Sequence, residues 1–180
     1  FFGLIFIMVY LAFYESGGDT PMNWQELVNY LWLQQSFFAL IYPFDRENEL
    51  LNMIKNGNLA YELIRPQDFY FKWYIKMLAK RLVAVILRFI PLIILAISLP
   101  YPFHLSGPYS INNFIMFIVA LTLGFFLVTS LNLLMHILTM FTLDEKGTMT
   151  TYNVIAEIFM GGTIPIPFFP LWLKHIAEFL

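Results

Sequence analysis

The chain has 180 residues, of which 59% are hydrophobic, 19% aromatic and only 12% charged. A soluble domain usually carries charge on about a quarter of its residues, so this composition excludes an ordinary water-soluble domain and indicates an integral membrane protein. The net charge of -2 gives no argument for nucleic acid or an acidic partner, and the absence of cysteine excludes disulfides, thiolate metal sites and a cysteine nucleophile.

The chain starts inside an apolar run, residues 1–14, and its first residue is Phe1 rather than Met. A helix of this length at about 1.5 Å per residue is too short for ~30 Å of hydrocarbon, so we expect a first span that is cut short. A signal peptide is the alternative, but the basic leader and the small-residue cleavage site are missing.

The next segment, Trp24 to Tyr42, is apolar but interrupted by acid and amide side chains. Such groups cost free energy in lipid and usually face other helices or water. The segment is either a span with a buried polar face or a helix in the membrane interface, and we expect the span. The interrupting residues are Glu26, Asn29, Gln34 and Gln35.

Three later segments are predicted spans: Leu82 to Leu99, Ile111 to Phe141 and Tyr152 to Ile164. The second would reach about 46 Å as one helix, so it must tilt, project or break, most readily at Gly124.

The fifth predicted span cannot continue through the prolines that follow it, which are Pro165, Pro167 and Pro170. Residues 171–180 (LWLKHIAEFL) are then either a short external or re-entrant helix or the start of another span.

Basic residues are concentrated in one part of the chain. Eight of the ten lysines and arginines lie between positions 46 and 88, and the connections 15–23 and 99–110 have none. The positive-inside rule therefore places residues 43–81 in the cytoplasm. Counting crossings from there, 15–23 and 100–110 are external, 142–150 is internal, and the C-terminal segment is external.

Residues 43–81 are predicted to form an elbow between two spans. The first part, 45–56 (DRENELLNMIKN), mixes apolar residues with charges and is followed by Gly57, placed as a helix C-cap. Pro66 then begins a second helix, in which Asp68, Lys72, Lys76 and Lys80 recur every four residues beside Phe69, Trp73 and Met77. This pattern predicts an amphipathic helix on the membrane surface with its lysines at the lipid headgroups.

Residues 54–66, IKNGNLAYELIRP, resemble the IxxGxxAYELxRP cytoplasmic loop of permease subunits of type-2 ATP-binding-cassette (ABC) transporters. The matching positions are Ile54, Gly57, Ala60, Tyr61, Glu62, Leu63, Arg65 and Pro66. The stretch 27–35 (LVNYLWLQQ) looks like the family's second span. Its entry into the third span is matched by Trp73, Tyr74, Arg81, Leu82 and the stretch 87–91 (LRFIP). Residues 161–173 (GGTIPIPFFPLWL) are similar to its external turn after the fifth span.

This resemblance implies an all-α polytopic transmembrane helical bundle, with about five spans of the family's six. It implies one permease domain over residues 1–180, truncated at both ends, in the bacterial cytoplasmic membrane. Two permease subunits, identical or different, would pair with two cytoplasmic P-loop ATPase subunits to form an exporter. ATP and Mg²⁺ would bind to the ATPase, and the permease chain itself would bind no cofactor.

The elbow would carry the coupling helix that docks on the ATPase, through Ile54, Gly57, Tyr61, Glu62, Leu63, Arg65 and Pro66. In this interpretation Gly57 is a turn, Tyr61 and Leu63 are apolar knobs, and Glu62 and Arg65 are charges that set the register with the partner. The alternative is a surface loop whose charges merely orient the protein.

Catalytic motifs are missing from the sequence. No GxxxxGK[ST] or GxSxG occurs, and the three histidines, His104, His136 and His175, lack metal-ligand spacing. An enzyme therefore has little support, and ATP must be hydrolysed by a partner.

The fourth span carries polar residues on one helical face: Thr122, Thr129, Asn132, His136 and Thr139. They either bond to a neighbouring helix or line the substrate path, for which Thr122, Thr129, Asn132 and Thr139 are the candidates.

Arg88 and Glu157 are fully charged residues inside predicted spans, at a depth close to that of His136. Equal depth predicts an intramembrane polar cluster of Arg88, His136 and Glu157 near the cytoplasmic gate. The alternative is that Arg88 reaches the headgroups alone.

Two functions follow from these features. One is the permease of an ATP-driven exporter, and the other is a membrane scaffold or anchor that recruits a cytoplasmic protein without transport. A scaffold needs no polar face inside the membrane, whereas residues 122–139 supply one. An intramembrane enzyme would need paired catalytic groups at one depth, and only His136 with Glu157 comes near that.

Overall fold

The computed structural model describes residues 2–17, 20–41, 46–142, 145–159, 161 and 164–179. Its helices are α1 Phe2–Glu15, α2 Trp24–Ser36, α3 Phe38–Ile41, α4 Asn48–Lys55, α5 Leu59–Leu63, α6 Phe69–Ser98, α7 Ile111–Thr142, α8 Glu145–Phe159 and α9 Leu171–Phe179, with a 3₁₀ turn at Ile166–Phe168. The predicted all-α class is confirmed. The predicted segments that include residues 1, 18–19, 42–45, 143–144, 160, 162–163 and 180 lie partly outside the described residues.

Helices α6 and α7 are the two in the described ranges that are long and apolar enough to cross a membrane. With 30 and 32 residues they extend about 45 and 48 Å, more than the ~30 Å of a hydrocarbon core. Most residues in their apolar stretches are exposed. A core helix of a soluble protein would be buried, so this exposure suits contact with lipid. Helix α7 runs through Gly124 without a break.

Helix α6 joins two elements that the sequence separates. The predicted surface helix and the predicted span from Leu82 form one continuous helix, which begins at Phe69 rather than at Pro66. Asp68 caps it, since its carboxylate Oδ1 accepts a hydrogen bond of 2.7 Å from the backbone N–H of Phe71. Pro91 lies within α6 and does not end it.

The polar segment from Trp24 is a helix interrupted once, at Phe37 between α2 and α3. It packs against α1 and α6, with Ile7 and Ala96 in the same buried cluster as residues of α2. The buried α2 members of that cluster are Leu27, Val28, Leu31 and Trp32. This segment is therefore an interior element of the bundle rather than a helix on its surface.

The connection between α6 and α7 folds back onto α2. The indole N–H groups of Trp24 and Trp32 donate to the carbonyls of Pro102 and Phe103, at 3.1 and 2.8 Å. Nearby, Gln25 donates to the carbonyl of His104 at 2.9 Å, and Asn29 accepts from the backbone N–H of Ser106 at 2.9 Å. Two amide side chains of α2, Gln25 and Asn29, thus bind this connection.

The predicted internal connection 142–150 is mostly helix, which corrects the sequence interpretation. Helix α8 already begins at Glu145, and the hydroxyls of Thr142 and Thr148 lie 2.9 Å apart where α7 and α8 meet. Met149 and Asn153, one turn apart, are buried while α8 packs on α7. Packing overrides the weak helix propensity of this glycine- and threonine-containing stretch.

The fifth predicted span is consequently displaced, since α8 ends at Phe159, before Gly161. A helix after the prolines is confirmed as α9, and the choice between a short helix and the start of another span stays a prediction. The 3₁₀ turn between them places the ring of Phe168 5.5 Å from that of Tyr10 and 6.2 Å from that of Phe13. Tyr14 donates to the carbonyl of Met22 at 2.7 Å. The connections predicted to be external therefore gather at one end of the bundle.

Candidate docking and coupling site

The elbow begins with α4, which stops at the glycine that the sequence predicts. Helix α4 ends at Lys55, the N–H of Asn56 donates to the carbonyl of Asn52 at 3.0 Å, and Gly57 follows with φ of 72°. This left-handed conformation favours glycine, and it turns the chain into α5. The predicted helix stop at Gly57 is confirmed.

The inner side of the elbow packs on both long helices. Leu50 of α4 lies in a buried cluster with Trp73 and Met77 of α6 and Leu133 of α7. Ile54 packs against the same cluster. Ile54 therefore faces the protein, so its contribution to a docking surface would be indirect.

The outer side of the elbow exposes three apolar residues, which we call the exposed tip: Tyr61, Leu63 and Ile64. Their side chains are 70%, 57% and 79% exposed. Arg65 and Pro66, beside them, are exposed as well. An apolar group on a polar end of a protein is typical of a contact surface. Ile64 was missed from the sequence, although its spacing of three from Tyr61 on a short helix could have indicated it.

Glu62 lies between these exposed residues but is only 7% exposed. Its carboxylate accepts a hydrogen bond from the Lys72 ammonium and pairs with Arg65 at 3.3 Å. The hydrogen bond from Lys72, helped by the charges of Arg65 and Lys72 and opposed by desolvation, lowers the pKa of Glu62 below its ordinary value. The carboxylate thus points toward α6, whereas the sequence interpretation directed it to a partner.

Three lysines of α6 bind acidic residues of the elbow, and we call Lys72, Lys76 and Lys80 the lysine ladder. Lys72 binds Glu62, and Lys76 binds Glu49. Glu47 pairs with two lysines, since its carboxylate lies 3.7 Å from Lys76 Nζ and 3.4 Å from Lys80 Nζ. The sequence interpretation placed these lysines at lipid headgroups. The structure corrects this, because α4 and α5 bring carboxylates onto the same face of α6.

The elbow is also attached to α7. The backbone N–H of Glu47 donates to His136 Nε2 at 3.0 Å, and His136 Nδ1 lies 2.8 Å from the carbonyl oxygen of Asn132. Since Nε2 accepts, Nδ1 carries the proton and donates to Asn132. His136 is therefore a connection between helix α7 and the start of α4.

The polar face of α7 is largely buried, as its periodicity predicts. Thr129, Asn132, His136 and Thr139 are buried, whereas Thr122 is exposed. The hydroxyls of Thr129 and Thr139 donate to carbonyls of α7 itself, at 2.8 and 2.6 Å. This arrangement favours helix packing in the present conformation, and a role in a substrate path stays a prediction.

Arg88 binds the C-terminal end of α2, where the helix is interrupted before α3. Its Nε donates to the carbonyl of Gln35 at 3.1 Å, its Nη2 lies 3.4 Å from Gln35 Oε1, and its guanidinium stands 4.8 Å from the Phe38 ring. Arg81, which the resemblance places at the entry into the third span, donates to the carbonyl of Leu40 at 3.0 Å. A helix break leaves carbonyls without helical partners, and these arginines supply donors for them.

In the predicted cluster of Arg88, His136 and Glu157, the described contacts of Arg88 and of His136 are with different residues. Arg88 contacts Gln35 and Phe38, His136 contacts Glu47 and Asn132, and Glu157 is exposed on α8. A shared role at a gate stays a prediction. Across the described ranges, no group of three or more acidic, histidine or cysteine side chains is arranged to hold a metal ion.

The structure is that of an integral α-helical membrane protein. Its two long helices are apolar and exposed, its interior arginines bind the carbonyls at helix ends, and a charged elbow lies at one end. The family model described as ABC-2 family transporter protein matches residues 2–180, so the chain belongs to this family. Membership of this family supports a permease role for the chain, as a membrane protein of an ABC transporter. Comparisons with curated proteins and with solved structures found no match.

Proposed function

We propose that this chain is the permease of an ATP-driven exporter and that the exposed tip of the elbow docks on a cytoplasmic P-loop ATPase subunit. The observation that carries this proposal is the exposed tip itself: three apolar side chains are exposed on and just after the short helix α5, while Glu62 and α4 hold the inner side of the elbow by charge and packing. ATP and Mg²⁺ would bind to the ATPase, and a second permease subunit would complete the transporter.

The distribution of charge supports a cytoplasmic location for the elbow. Eight of the ten basic residues lie between positions 46 and 88, and the connections at the opposite end of the bundle have none. Cytoplasmic connections of membrane proteins carry this excess of lysine and arginine. We therefore place the elbow in the cytoplasm and the protein in the cytoplasmic membrane of a bacterium.

The fixed inner side supports docking rather than a mobile surface loop. A partner that binds the exposed tip loses less binding free energy to ordering, because α4 and α5 are already held by the lysine ladder and by Trp73 and Leu50. The scaffold hypothesis would use the same tip, but membership of a transporter family favours the permease.

The proposal is tested by purifying the full-length tagged protein in mild detergent with the proteins of its host and identifying stoichiometric partners. We expect a P-loop ATPase in the wild-type sample and a several-fold loss of it with Tyr61→Ser or Leu63→Ser. The matched control is Tyr109→Ser, which changes an equally exposed tyrosine, 75% exposed, at the other end of the bundle. Equal recovery from Tyr61→Ser and Tyr109→Ser, or no ATPase from folded wild-type protein, would contradict the proposal.

A further inference from the structure

One residue of the elbow contacts both long helices. Glu47 is buried just before α4, its carboxylate binds lysines of α6, and its backbone N–H binds His136 of α7. We infer that Glu47 is the positioning residue that fixes the elbow, and with it the exposed tip, on α6 and α7 together. The inference rests on the proposed function, since it explains how a docking surface would be held on the membrane helices.

The bond to α7 depends on a single ring nitrogen. His136 is fully buried, and its Nε2 accepts from Glu47 while its Nδ1 hydrogen is used by Asn132 one turn earlier. The second bond fixes the plane of the ring, so that Nε2 points to the start of α4. This contact joins residues far apart in sequence, and it aligns the first turn of α4 with α7.

The contact with α6 depends on the Glu47 carboxylate. It lies between Lys76 and Lys80, one turn apart on α6, and it is buried, whereas the side chain of Glu49 in α4 is 57% exposed. Ion pairs of exposed groups contribute little because water screens them. Glu47 bridges two lysines from a buried position, whereas Glu49 binds Lys76 alone from an exposed one, so we expect loss of the Glu47 charge to loosen the elbow more than loss of the Glu49 charge.

The elbow is consequently held at both of its ends. Glu47 holds the start of α4, Gly57 turns the chain, and Glu62 in α5 binds Lys72 at the start of α6. The exposed tip lies directly beside Glu62. A displacement of the tip is therefore carried to α6 through Glu62 and to both α6 and α7 through Glu47.

The test is amide hydrogen exchange of the full-length protein in lipid nanodiscs, without any ATPase. Glu47→Gln keeps the size and the backbone N–H but removes the charge, and Glu49→Gln is its matched control. His136→Asn loses the acceptor at the Nε2 position, while His136→Gln places an amide oxygen at about that distance. We expect exchange across residues 46–66 to accelerate roughly fivefold in Glu47→Gln and His136→Asn, and to stay near the wild-type rate in Glu49→Gln and His136→Gln.

Peptides from α1 and α2 report whether the bundle is intact in each variant. Equal exchange in Glu47→Gln and Glu49→Gln, or in His136→Asn and His136→Gln, would overturn the inference. Accelerated exchange throughout α1, α2 and α6 would also overturn it, because Glu47 would then support the whole fold rather than position the elbow. Since no ATPase is used, failure of the ATPase capture would refute the proposed function alone.

Discussion

Gln34 of α2 donates a hydrogen bond of 2.9 Å to the carbonyl oxygen of Gly161, which attaches the chain beyond α8 to the interior helix α2. The Tyr30 hydroxyl lies 3.5 Å from the same oxygen. Gly161 has φ of 66°, and a Cβ atom there would stand 3.1 Å from both the Tyr30 hydroxyl and the Ile166 side chain. Conformation and space both require glycine at this position.

Gly161→Ala should destabilise the protein by about 2 kcal/mol, because it combines a left-handed backbone with close contacts. Thermal unfolding in detergent measures the change. Gly124→Ala is the control, since that glycine lies within α7 and a Cβ there would meet nothing within 4 Å. A melting temperature for Gly161→Ala equal to that of Gly124→Ala would show that the turn adapts.

A substitution at Gly57 tests backbone strain without steric clash. The φ of Gly57 is 72°, and a Cβ atom there would meet nothing within 4 Å. Gly57→Val should cost about 1 kcal/mol or more from backbone strain alone, and Gly57→Asn should cost less, since asparagine tolerates this conformation. Both proteins should insert into the membrane, with ATPase recovery and coupled activity lower for valine. Identical behaviour of the two variants would remove the conformational argument.

Glu62 should give the elbow a stability that depends on pH. Its folded-state pKa is lowered, mainly by the hydrogen bond from Lys72, so the attachment is complete above the ordinary carboxylate pKa and is lost as pH falls through the lowered value. We expect Glu62→Gln to melt a few degrees below wild type at pH 7, with the difference shrinking below about pH 4. A difference that grows on acidification would contradict the assigned partners.

The substitution Glu62→Ala should leave membrane insertion intact and reduce ATPase coupling, because the carboxylate binds Lys72 and so holds α5 and the exposed tip on α6. The charge-reversed pair Glu62→Lys with Lys72→Glu should restore part of the coupling. The restored fraction can be measured as ATPase recovered with the tagged protein. No recovery in the double variant, with both single variants folded, would favour direct contact of Glu62 with a partner.

Arg88 should be coupled in energy to Gln35. In a double-mutant cycle, Arg88→Lys with Gln35→Leu should give an interaction of about 0.5–1 kcal/mol, since a lysine side chain cannot reproduce the planar donor fork of arginine. The cycle of Arg88→Lys with Glu157→Gln should be additive, since the described contacts of Arg88 are with Gln35 and Phe38. A larger coupling with Glu157 would instead support the polar cluster predicted from the sequence.

The sequence predicted features that depend on neighbours along the chain. The helix stop at Gly57 is encoded by glycine chemistry within one turn, and the buried face of Thr129, Asn132, His136 and Thr139 follows from helical periodicity. The apolar exposure of α6 and α7 follows from composition. In each case the physical cause lies within one helix.

The features that were missed depend on contacts between distant parts of the chain. Glu47 and His136 are 89 positions apart, and Arg88 and Gln35 are 53 apart, so neither pair has a local signal. The lysines of α6 have the spacing of a surface helix whether they meet lipid or glutamate, and only the placement of α4 and α5 decides between the two. The early start of α8 likewise depends on its packing against α7.

The unbroken length of α6 has a mechanical consequence. A rod of about 45 Å that tilts by about 5° at one end moves its other end by ~4 Å. The far end of α6 is anchored where the N–H of Leu105 donates to the carbonyl of Ala96 at 2.9 Å, in the connection that Trp32 binds. The lysine ladder and this anchored connection thus lie toward opposite ends of one continuous helix, so a small tilt of α6 at the elbow would displace the connection at the other end of the bundle by several times the movement of the nearest residues.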